Sequence, residues 1–204
     1  MDMQNKIIKL CGFKMQEDVD FASNFGAKFL GFVFVENSKR FVNFQEFASL
    51  NLEGIAAKIV AVFENPTIEE VQNAINANRV DFIQLHNSTP EFGQEISKIK
   101  PIIWCFHGEN FTAQDFENIE FAEYFLFDGT QAGSGIERDF NFAKNIKNLT
   151  EKPFFLAGGI NIANFKNALQ YSNMLDVSSG IEIISGVKDQ EKIKEFLNAV
   201  QNGN

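Results

Sequence analysis

The sequence predicts an α/β fold, a single (β/α)8 TIM barrel, from three observations. Eight apolar runs of strand length recur along the 204 residues. Most of these runs are continuous rather than alternating, as strands covered on both faces require. Between them lie segments of helical periodicity, at the spacing of one βα unit. No Pro/Gly-rich break or low-complexity tract interrupts the series, so residues 1–204 are expected to form one domain. An open doubly wound sheet gives the same alternation, but such sheets commonly hold about five or six strands, whereas eight close naturally into a barrel.

The strands read at 6–10 (KIIKL), 29–34 (FLGFVF), 58–63 (KIVAVF), 81–85 (DFIQL), 102–106 (IIWCF), 124–127 (YFLF), 153–156 (PFFL) and 174–177 (MLDV). A helix over 16–25 places Val19, Phe21, Ala22 and Phe25 at helical spacing. Thr67-Ile68-Glu69-Glu70 fits a capping box, followed by Val71, Ala74 and Ile75. Helices are also predicted over 161–169 and over 190–200, the latter with Ile193, Phe196, Leu197 and Val200 inward. Asn43 and Asp139 have the character of helix N-caps. Phe is unusually frequent, 24 residues against one Trp and two Tyr, and is expected to fill the core.

The formal net charge is -9. A nucleic-acid-binding protein needs a basic face to neutralise phosphates, and no Lys/Arg run supplies one, so no nucleic-acid partner is expected. A membrane-surface role is disfavoured for the same reason, and no apolar stretch reaches the roughly 18 residues of a spanning helix. The N-terminal run is too short for a signal-peptide core, which points to the cytoplasm. Two cysteines without CxxC spacing and two histidines without helical metal spacing predict neither a disulfide nor a structural metal. No cofactor motif is present: Gly133-Ser134-Gly135 lacks the third glycine of a dinucleotide fingerprint and follows the wrong strand.

In a barrel the chemistry sits at the C-terminal ends of the strands. This filter selects Cys11, followed by Gly12, which leaves room for a ligand. It selects Arg40 in the second loop, His86 after the fourth strand and Asp128 after the sixth. Cys105, inside IIWCF, reads as an ordinary buried packer. A thiol base and a partly desolvated carboxylic acid on different strands could move protons at two ends of a sugar. Arg40 has the fork geometry suited to a substrate carboxylate. Most strand-end histidines make a single hydrogen bond, and that is the plainer reading of His86. Gly158-Gly159 after the seventh strand and Ser178-Ser179-Gly180 after the eighth stand where barrels commonly hold phosphate.

Taken in order, these segments resemble the phosphoribosylanthranilate isomerase family over nearly the whole chain. The resemblance runs through Lys9-Leu10-Cys11-Gly12, Gly31-Phe32-Val33-Phe34 with Ser38-Lys39-Arg40-Phe41-Val42, Val62-Phe63-Glu64-Asn65, and Gln84-Leu85-His86. It continues through Leu156-Ala157-Gly158-Gly159-Ile160-Asn161, Asp176-Val177-Ser178-Ser179-Gly180-Ile181-Glu182 and Gly186-Val187-Lys188-Asp189. It implies an Amadori rearrangement in tryptophan biosynthesis, with Cys11 as general base and Asp128 as general acid. It implies that Arg40 holds the anthranilate carboxylate, that His86 and Gly135 contact substrate, and that Gly158, Gly159, Ser179 and Gly180 bind phosphate. The expected ligand is a phosphoribosyl-anthranilate, without cofactor, on a monomer or homodimer. Two departures stand out: Asn87 where the family usually has Gly, and a short loop, AGSGIERDF, after Asp128. The rivals are a histidine-pathway aldose–ketose isomerase, a reaction type usually run by two carboxylates, and a non-catalytic barrel that binds a phosphate ligand.

Overall fold

The computed structural model describes residues 6–108, 110–129, 140 and 142–202. Among these, eight parallel strands close into a barrel in sequence order: β1 Ile7–Cys11, β2 Phe29–Val33, β3 Lys58–Glu64, β4 Phe82–His86, β5 Ile102–His107, β6 Tyr124–Asp128, β7 Phe154–Ala157 and β8 Met174–Val177. The ring is sealed by β1 against β8, with Lys9 opposite Asp176. The predicted TIM barrel is therefore the observed fold. Its strands run a residue or more past several apolar runs, because the parallel ladder continues into the polar rim. Cys11, His86 and Asp128 accordingly end strands rather than begin loops.

The outer helices are α1 Gln16–Asn24, α2 Phe44–Ala48, α3 Ile68–Ala77, α4 Pro90–Ser97, α5 Phe142–Leu149, α6 Phe165–Ala168 and α7 Gln190–Asn202. Two of the sequence-derived caps are in place. Asn43 and Glu46 form a capping box at α2, and Thr67 and Glu70 form one at α3. Asp139 lies outside the described residues. The helix predicted over 161–169 is only α6, because Asn161 and Asn164 bind nearby backbone through their side chains and hold the preceding turn out of helical geometry. Between β5 and β6 the link contains one 3-10 turn, Ala113–Phe116. After β8 comes an unforeseen hairpin, β9 Glu182–Ile184 with β10 Val187–Lys188.

Two apolar layers follow from the strand period of two. Outward residues such as Ile8, Leu10, Phe32 and Phe63 pack under the helices. Inward residues such as Phe29, Val60, Ile103 and Met174 fill the barrel. Phe29, Phe82, Tyr124 and Phe155 close its N-terminal end ring against ring, with centroids 5.3–5.8 Å apart. The Phe excess is thus core, as expected. With that end plugged, the barrel interior is open to a ligand at its other end, where the polar residues stand. Among the described residues no helix is long and apolar enough to cross a membrane.

Candidate active site

A cavity of about 350 Å³ opens at the C-terminal ends of the strands. Cys11, Arg40, His86 and Asp128 all line it, together with Gln84, His107, Asp176 and Ser178. Cys11 and Asp128 belong to β1 and β6, which are not neighbours in the ring. The two groups therefore approach the cavity from different walls.

Cys11 is buried, and its side chain points into the barrel as the last inward residue of β1. Its carbonyl accepts from Ser178 Oγ at 3.0 Å and from Lys188 Nζ, which pins the strand end. Burial pushes the thiol above its ordinary range, while Lys9 and Lys188 pull it part of the way back. Gly12 does leave space, but the occupant is protein. A Cβ there would lie 2.5 Å from Arg40 Cδ, and the backbone has φ of +89°. The glycine lets the arginine stem cross directly over the end of β1.

Arg40 is held by Glu182, whose two oxygens accept from Nε and Nη2 at 2.7 Å each. Lys188 Nζ donates to the same carboxylate at 2.7 Å. Burial works against the Glu182 charge, but the hydrogen bonds from Arg40 and Lys188 outweigh it and keep its carboxyl below the ordinary range. The hairpin β9–β10 thus supplies Glu182, which aims Arg40 at the cavity, and Lys188, which holds Glu182. The strand period did not single out Glu182 and Lys188, since β9 and β10 are only three and two residues long.

His86 takes part in a chain of polar contacts. Its Nε2 lies 2.8 Å from Gln84 Nε2 and 3.3 Å from Cys105 Sγ, and its Nδ1 lies 3.1 Å from His107 Nε2. Burial, then His107 and Lys9, push its pKa down to about 3, so the imidazole is neutral at physiological pH. This is more than the single bond expected for a strand-end histidine. Cys105 is buried as foreseen, but it packs inside the barrel in contact with His86 rather than away from the site. Gln84 was not singled out from sequence. It is 2% exposed and lines the cavity, with Oε1 buried and unpartnered among the described residues.

The phosphate candidates sit beside this cavity. Gly159, Ser179 and Gly180 line a second hollow of about 340 Å³, with Asn161 and Lys192. Gly158 does not line it. Its φ of +96° and the +68° of Gly159 show that the turn itself requires glycine at both positions. A side chain at Gly180 would strike the Ile160 carbonyl, so this glycine lets the seventh and eighth loops meet. Gly135 lies outside the described residues. Among the described residues no three His, Cys, Asp or Glu side chains gather as metal ligands.

Comparisons with known proteins place the chain in a family. The family model for N-(5'phosphoribosyl)anthranilate (PRA) isomerase matches residues 8–199. The N-(5'-phosphoribosyl)anthranilate isomerase of Streptococcus gordonii is 34% identical over 199 residues, covering 96% of this chain and 98% of its own. The crystal structure of phosphoribosyl anthranilate isomerase from Thermus thermophilus superposes with a TM-score of 0.86 at 27% identity, covering 97% of this chain and all of that one. A phosphoribosyl anthranilate isomerase in complex with reduced 1-(o-carboxyphenylamino)-1-deoxyribulose 5-phosphate gives a TM-score of 0.82 at 25% identity, covering 98% and 100%. With nearly its whole length matched, this chain belongs to the N-(5'-phosphoribosyl)anthranilate isomerase family.

Proposed function

We propose that the protein catalyses the Amadori rearrangement of N-(5'-phosphoribosyl)anthranilate to 1-(2-carboxyphenylamino)-1-deoxy-D-ribulose 5-phosphate in L-tryptophan biosynthesis, in the cytoplasm. The observation that carries this reading is the shared cavity of Cys11, Asp128 and Arg40: a base and an acid on separate walls, with a carboxylate anchor beside them. Asp128 protonates the furanose ring oxygen, and the C1'–O bond breaks to leave an open-chain Schiff base. The Cys11 thiolate removes the C2' proton, and the electron pair moves to the imine nitrogen to give an enolamine. Tautomerisation yields the amino-ketose, so atoms balance within one molecule and no redox partner is required.

Arg40 is the anchor for the anthranilate carboxylate. Glu182 engages Nε and Nη2, which leaves Nη1 to complete the fork toward the ligand. Neutral His86 lines the substrate cavity without adding charge near the base. Backbone N–H groups around Gly158, Gly159, Ser179 and Gly180 hold the phosphate, where the glycine turns let the main chain come close.

The test is loss of substrate fluorescence on adding purified protein with no cofactor, together with rescue of a tryptophan auxotroph lacking the isomerase step. Absence of turnover would overturn the reading. Arg40→Lys keeps the charge but loses the planar fork. A charge-assisted hydrogen bond is worth about 1.5–3 kcal/mol, so KM should rise roughly 10- to 100-fold with kcat within a few-fold. An unchanged KM would remove Arg40 from the substrate site.

A further inference from the structure

We propose that Lys9, buried in the barrel beside the thiol, is the positioning residue that stabilises Cys11 as a thiolate, with Asp176 anchoring its ammonium. The inference rests on Cys11 being the general base.

Lys9 and Cys11 are alternate residues of β1, so both side chains enter the barrel. Lys9 is wholly buried, and its Nζ donates to Asp176 Oδ1 of the adjacent strand β8 at 2.8 Å. Desolvating an ammonium costs several kcal/mol, and an apolar side chain of similar volume would fill the same space without that cost. A charge kept here calls for something besides packing, and the neighbouring sulfur supplies it. Gly31 of β2 stands in register with Cys11. A Cβ on Gly31 would lie 2.6 Å from Cys11 Sγ and 3.2 Å from Lys9 Nζ. The missing side chain is therefore the space in which thiol and ammonium meet.

The charged and titratable groups facing Cys11 are Lys9 on its own strand, Asp176 on β8, Lys188 on β10, Arg40 in the loop after β2 and Cys105 on β5. Lys188 and Arg40 are both bound to Glu182. Lys9 acts most strongly of the cations on the sulfur. Burial works against its own charge, yet Asp176 and Cys11 together hold Lys9 protonated above the ordinary lysine range. The thiolate thus forms next to a cation that does not titrate away as pH rises toward neutrality and beyond.

The test is a titration of Cys11 in the full-length protein. Iodoacetamide alkylation is followed against pH, with the Cys11 peptide quantified by mass spectrometry, for the wild type, Lys9→Met and Lys9→Met/Asp176→Asn. Lys9→Met should raise the alkylation midpoint by about 1–3 pH units, the range set by one nearby opposite charge. The double variant, which leaves no orphaned carboxylate, should shift the same way by less and carries the test if Lys9→Met fails to fold. The limb on which kcat/KM climbs with pH should move with the midpoint. Midpoints unchanged or lowered in the folded variants would overturn the proposal, whatever happens to activity. Because alkylation needs no substrate, a protein without isomerase turnover would refute the proposed function and leave this result readable.

Discussion

Replacing Cys11 with Ala is expected to lower kcat by about 10²–10⁴-fold, the share of a rate that a positioned general base supplies, while KM stays within a few-fold. The reason is local. The thiol ends β1 inside the barrel, and the groups proposed to hold substrate ends are other side chains and loops: Arg40, whose stem crosses over Gly12, and the glycine loops beyond β7 and β8. Removing Sγ therefore removes proton transfer and little binding. Wild-type kcat/KM should climb with pH on its base limb. Burial places the thiol above its ordinary value against the pull of Lys9 and Lys188, so the thiolate fraction grows as pH rises through that raised value. Cys11→Ala should flatten the limb. Cys105→Ala is the informative contrast, though not an inert one, since its sulfur touches His86. Loss of one ordinary hydrogen bond is worth about 0.5–1.5 kcal/mol, so this variant should stay within roughly tenfold of wild type in the fluorescence assay. Equal losses in the two variants would remove Cys11 from the role of base.

The barrel was legible because parallel strands covered on both faces read as unbroken apolar runs, and eight of them were countable. Their ends were less legible. Hydropathy stops at Leu10, Leu85 and Phe127, whereas the ladder carries on through Cys11, His86 and Asp128. This difference matters to function, because a side chain fixed on a strand is held more firmly than one on a loop. Lys9 was hidden inside a strand, where a lone lysine looks like an interruption. The two-residue period that puts it on the Cys11 face was nevertheless available from sequence. The Arg40–Glu182–Lys188 cluster was not, since it joins residues 142 positions apart through a hairpin too short to show a period. Gly12 was marked correctly as a place needing space, but only the fold shows that Arg40 uses it.

Asp128→Asn should lose activity on a scale similar to Cys11→Ala, roughly 10²–10⁴-fold in kcat, with thermal stability almost unchanged. The carboxamide keeps the size and the hydrogen-bonding outline of the side chain but has no acidic proton to deliver to the ring oxygen. Asp128 is the last residue of β6, partly exposed at the rim, and the ladder there pairs it with His107 on one side and Ala157 on the other. Substitutions at such positions usually change stability by no more than about 0.5 kcal/mol. A normal melting curve with a collapsed kcat would therefore separate chemistry from folding. The double variant Cys11→Ala/Asp128→Asn sharpens the point. Ring opening must precede removal of the C2' proton, so acid and base act on successive transition states, only the slower step sets the rate, and their losses should not multiply. The double variant should be little worse than the poorer single one. Fully multiplicative losses would mean that the two residues act on one and the same transition state, and the division of labour between acid and base would have to be redrawn.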